Sequence, residues 1–66
     1  MKTRIAIEQG AAALPRRRGI PEPRREARWL LARAWGVDET GLLIHPEREL
    51  PAEVEARYRG WLERRA

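Results

Sequence analysis

Proline stands at positions 15, 21, 23, 46 and 51, and these five residues decide most of what the chain can fold into. A proline inside a helix removes a hydrogen bond and clashes with the preceding turn, so each one is expected to start or stop a helix. The 66 residues are thereby cut into segments with room for short helices only. Within them apolar residues recur at helical spacing, and no segment alternates as a strand does. A chain this short is one small domain, burying only about 60% of the surface its unfolded form exposes. The expectation is an all-α fold: a bundle of four short helices, or five if Pro15 breaks the first.

Thr3 reads as the N-cap of a first helix whose Ile7, Ala11 and Leu14 follow the i, i+4, i+7 rule. Gly10 weakens that helix by about 1 kcal/mol relative to Ala, and Pro15 stops it near Leu14. Residues 16–23 read as a connection, with Gly19 offering a left-handed cap. Pro23 suits the first turn of a second helix, because its missing N–H would have no intrahelical partner there. Ala27, Leu30, Leu31, Ala34 and Trp35 make one apolar stripe, which Gly36 closes. Asp38 caps a third helix through Leu42, Leu43 and Ile44, which ends at His45 because Pro46 disfavours helical backbone before it. Pro51 opens a fourth, with Val54, Tyr58, Trp61 and Leu62 on one face and Glu53–Arg57 and Glu55–Arg59 paired along the other.

Composition removes several classes of function. The absence of cysteine excludes disulfides and thiolate chemistry, and a single histidine argues against a structural zinc site. The apolar run at residues 11–14 is far too short for a secretion signal or a membrane span, which predicts a cytoplasmic protein with no membrane partner. Thirteen of the fourteen basic residues are Arg, a bias typical of GC-rich bacterial genomes. Net charge is +4 but uneven: residues 1–36 carry nine basic and three acidic groups, and residues 37–66 carry five and seven. The first half is the one suited to an acidic partner.

Gly19-Ile20, Pro23-Arg24, Glu26-Ala27, Leu30-Leu31-Ala32, Gly36-Val37-Asp38, Leu42-Leu43, His45-Pro46 and Leu50 fall in one continuous pattern. It resembles the N-terminal domain of the HemK/PrmC family, S-adenosylmethionine-dependent enzymes that methylate the glutamine of the Gly-Gly-Gln motif in peptide-chain release factors. The resemblance runs from about Ala11 to Arg65. It implies that residues 1–66 are a single substrate-recognition domain, which binds and orients the release factor and does no chemistry itself. It also implies that the catalytic methyltransferase domain is absent from this chain. The family's Asn-Pro-Pro-Tyr loop is missing, as is a glycine-rich cofactor loop, so no cofactor is expected here and S-adenosylmethionine belongs to the full-length parent. The implied partners are a release factor and the parent's own C-terminal catalytic domain. Two departures stand out: Pro15 where the family usually continues its first helix with an aliphatic residue, and Pro51 where a Ser or Thr cap is common.

Candidate partner-binding residues follow from charge and exposure. Arg16, Arg17, Arg18, Arg24, Arg25 and Arg28 gather positive charge around the connection between the first two helices, and Arg is favoured at interfaces with carboxylates. A solvated basic face is the plain alternative for each. Trp29 lies off the main stripe of its helix, where it serves either as an aromatic anchor for a partner or as packing against the first helix or the absent catalytic domain. Trp35 and Trp61 belong to core stripes. His45 is read as capping a helix end, and Glu22 and Glu26 as complementing a helix dipole. No catalytic or metal-binding residue is assigned. A pI near 11.0 keeps a nucleic-acid-binding module as an alternative, disfavoured by the acidic second half, and a docking or dimerisation module is the other.

Overall fold

The computed structural model describes residues 1–14 and 22–65, with the side chain of residue 65 excepted. Gly19, Arg16, Arg17 and Arg18, to which the sequence assigned a cap and a basic patch, lie outside the described residues. Four helices occupy the rest: α1 (Thr3–Ala13), α2 (Pro23–Trp35), α3 (Glu39–Ile44) and α4 (Ala52–Arg65). No strand occurs among the described residues, although Lys2 and Glu49 form one isolated antiparallel bridge. The all-α bundle and its four helices are as expected.

The helix ends mostly obey local chemistry. Pro23 occupies the first turn of α2, and Gly36 closes that helix in the left-handed region at φ 76°, its N–H bonded to the Ala32 carbonyl. The Asp38 side chain accepts from the Thr40 N–H at 3.3 Å and starts α3. At the other end of α3 the His45 backbone N–H closes on the Gly41 carbonyl. The His45 side chain is exposed and makes no hydrogen bond among the described residues, so it does not cap α3 as expected. Pro51 stands just outside α4, where its carbonyl accepts from the Val54 and Glu55 N–H groups.

The start of α1 departs from expectation. Thr3 is inside the helix; Lys2 holds the cap position and contributes no side-chain bond. The free N–H groups of the first turn are met instead by backbone from the connection between α3 and α4. Thr3 N–H donates to the Arg48 carbonyl and Arg4 N–H to the Pro46 carbonyl, both at 2.9 Å. The Thr3 hydroxyl, fully buried, donates to the same Arg48 carbonyl at 2.8 Å. Leu50 N–H returns the tie to the Met1 carbonyl at 2.9 Å. A segment with no regular structure thus caps a helix more than forty residues away in sequence.

The core is a cluster of small and branched aliphatic side chains around one tyrosine. On α2, Ala27, Leu30, Leu31 and Ala34 are buried as expected, with Ala32 beside them. On α4, Val54, Tyr58 and Leu62 are buried, while Trp61, like Trp35 on α2, is half-buried and packs on the margin. On α1 the buried line is Thr3, Ala6 and Gly10, one step round from Ile7 and Ala11; of the expected stripe, Leu14 just past the helix end is buried and Ile7 packs partly on the core. Close approach explains the rotation. A Cβ on Gly10 would overlap the Tyr58 hydroxyl and sit 3.1 Å from the Ala27 Cβ, so only glycine leaves α1, α2 and α4 room to meet. The Tyr58 hydroxyl lies against Gly10 and donates to the Ala6 carbonyl at 2.9 Å. Burial pushes its pKa well above the usual phenol value, so it stays a neutral donor.

Candidate functional site

Of the residues singled out for partner binding, helix α2 carries Arg24, Arg25, Arg28 and Trp29, and helical spacing divides these four into two groups. Arg25 and Trp29 are one turn apart on its outer side, and Arg33 follows one turn further. The Arg33 guanidinium lies 5.1 Å from the centre of the Trp29 ring, a cation–π contact. Trp29 remains 40% exposed. Arg25 is exposed beside it. Arg33 escaped the sequence reading, although its i+4 spacing from Trp29 was the available signal.

Arg24 and Arg28 turn the other way, toward α1 and α3. Arg24 is exposed, whereas Arg28 is half-buried and pairs with Glu39 at the start of α3 across 3.7 Å. That separation is too long for a hydrogen bond, and the buried Arg28 Nε has no hydrogen-bond partner. Both line a cleft of about 170 Å³ between the three helices, together with Arg4 of α1. Arg4 is joined to Glu47, which Lys2 also reaches at 2.8 Å. Bonds from Lys2 and Arg4 hold the Glu47 carboxyl below the usual carboxylate range, and Glu47 in turn raises the Arg4 pKa.

Other arginines serve the fold. Arg57 of α4, expected to pair with Glu53, instead donates to the Ala34 carbonyl at 2.6 Å, satisfying one of the last carbonyls of α2 with a charge that suits that end of the dipole. Arg59 does pair with Glu55, at 3.1 Å. Arg48 covers the Trp35 ring at 4.7 Å. A second, apolar groove of about 380 Å³ runs between α1 and α4, floored by Ala6, Ala13, Tyr58 and Leu62.

Among the described residues no group of acidic or histidine side chains could hold a metal ion, and no helix is long and apolar enough to cross a membrane. What the surface offers is a basic, partly aromatic helix face. Comparison with known families gives this a context, because the PrmC N-terminal domain matches residues 6–66. The chain belongs to that family. No curated protein and no solved structure matches it. In this PrmC N-terminal domain the matched span includes all of α2, α3 and α4 and most of α1, so both faces of α2 lie within it.

Proposed function

We propose that this chain is the substrate-gripping domain of an S-adenosylmethionine-dependent protein-(glutamine-N5) methyltransferase of the bacterial cytoplasm. On this reading it binds and orients a peptide-chain release factor so that the Gly-Gly-Gln glutamine reaches a separate catalytic domain. The observation that carries the proposal is membership of the PrmC N-terminal domain family over residues 6–66. S-adenosylmethionine and the chemistry belong to the catalytic domain, and this domain supplies affinity and orientation. Such a division has a physical basis: binding energy from a remote surface can position a glutamine that is itself a poor handle.

The outer face of α2 is the surface best suited to the grip. Tryptophan and arginine are the residue types that most often dominate interface energies, and the Arg33 stack reduces the freedom Trp29 must lose on binding. Arg25 adds charge suited to a carboxylate. Titration of the chain with a purified bacterial release factor, read by heteronuclear NMR, tests this. Saturable shifts at Arg25, Trp29 and Arg33 are expected, with Trp29→Ala weakening binding about tenfold or more. No binding at high concentration, or stronger binding to duplex DNA with a steep salt dependence, would overturn it.

A further inference from the structure

The cleft between α1, α2 and α3 differs in chemistry from the outer face of α2. Three guanidinium groups, from Arg4, Arg24 and Arg28, stand around it, and its walls include Ile7, Leu43 and Pro46. One carboxylate, Glu8, also lines it. Leu43, which lines it, and Ile44, next in sequence, are 60% and 63% exposed. With Trp29 they are the exposed large apolar side chains among the described residues, and these two project from a six-residue helix that buries only Leu42. The exposed Leu43 and the three cations thus line one cleft.

We infer that this cleft is a subsite for an acidic segment of a protein partner, one that carries a bulky aliphatic residue beside its carboxylates. The inference rests on the reading that the domain recognises a protein. Charge complementarity selects the acidic part. Arg24 has no ion pair among the described residues, and Arg28 is only loosely met by Glu39, so both can take a new carboxylate. Size and polarity select the aliphatic part, since about 170 Å³ is too small for a cofactor, for which pockets run from about 300 Å³, and suits one side chain. Nucleic acid fits poorly. Among the described residues the cleft holds no aromatic ring to stack a base.

The test is an NMR titration of the chain with a synthetic peptide of alternating glutamate and leucine, with the same peptide carrying glutamine for glutamate, and with a single-stranded oligonucleotide. The acidic peptide is expected to shift Ile7, Arg24 and Leu43 saturably, and the glutamine version to bind at least about tenfold more weakly, as loss of charge-assisted bonds requires. Arg24→Glu and Leu43→Ser, both at exposed positions that should leave the fold intact by circular dichroism, are expected to weaken the acidic peptide by a similar factor. Arg33→Glu should change it less than about threefold, because surface charges remote from a site are largely screened. Equal binding of the two peptides, shifts confined to the groove between α1 and α4, preference for the oligonucleotide, or no binding would each overturn the inference. A release factor that binds through Arg25 and Trp29 and leaves the cleft undisturbed would also overturn it while sparing the proposed function. Peptide binding without release-factor binding would do the reverse.

Discussion

The contact of α1 with α4 and the exposed side of α2 use similar residue types to opposite ends. At the first, Tyr58 donates to Ala6 across a gap that only Gly10 leaves open, and Arg57 nearby on α4 reaches back to the last turn of α2. At the second, Trp29 is only partly exposed, with Arg33 stacked on its ring and Arg25 exposed one turn away. The difference shows that neither charge nor aromaticity marks a binding surface by itself. What counts is whether neighbouring elements have already engaged the polar end of the side chain. In this small bundle α4 spends its tyrosine and Arg57 on the fold, and the outer side of α2 leaves Arg25 exposed and Trp29 partly so.

Substitutions can break that comparison. The largest effect is expected at Gly10→Ala, where helix propensity alone predicts a gain of about 1 kcal/mol. The crossing predicts a loss of about 1–3 kcal/mol, because the new Cβ displaces Tyr58 from Ala6 and presses on Ala27. Urea denaturation measures the difference directly; an unchanged or raised midpoint would mean that the helices do not meet this closely. Next comes a paired test of two arginines. Arg57→Ala should cost about 1 kcal/mol through the lost bond to the Ala34 carbonyl, whereas Arg25→Ala should lie within about 0.5 kcal/mol of the parent. Equal costs would erase the distinction between an arginine of the fold and an arginine of the surface.

The smallest effect concerns the exposed ions at the start of α1. The Glu47 carboxyl is held down by Lys2 and Arg4, so its folded pKa lies below its unfolded one. Its stabilising contribution is therefore complete above the ordinary carboxylate range and is lost as pH falls through the lower folded value. Glu47→Gln should flatten the acid limb of a stability profile slightly and leave neutral-pH stability nearly unchanged, since Glu47 is solvent-exposed. A large loss at neutral pH would show that the side chains, rather than the backbone bonds of Thr3 and Arg4, hold this corner together.

Much of this was legible in the sequence because it depends on near neighbours. Pro23, Gly36 and Asp38 act on the backbone within a turn of themselves, and each ends or begins a helix where its chemistry requires. The stripes of α2 and α4 are legible for the same reason, since burial along one helix follows its own period. The family pattern was legible too, and the match over residues 6–66 agrees with it. The candidate binding residues were legible only as a list. Their division into an outer face with Arg25 and Trp29 and a cleft with Arg24 and Arg28 depends on where α1 and α3 pack.

Where contacts run between distant segments, local reading missed or misassigned them. Thr3 looks like a helix cap from its type and place, but the Arg48 and Pro46 carbonyls bind the first turn, and no pattern within ten residues of Thr3 encodes them. Gly10 looks like a defect because its cost is local and its benefit lies on α4. Arg57 looks like the partner of Glu53 until the end of α2 is brought beside it. The sequence by itself determined the helices, most of their ends and the family, since these rest on backbone chemistry and residue order. Only the tertiary structure decided which side chains stay exposed, because that depends on what each one meets when the helices close.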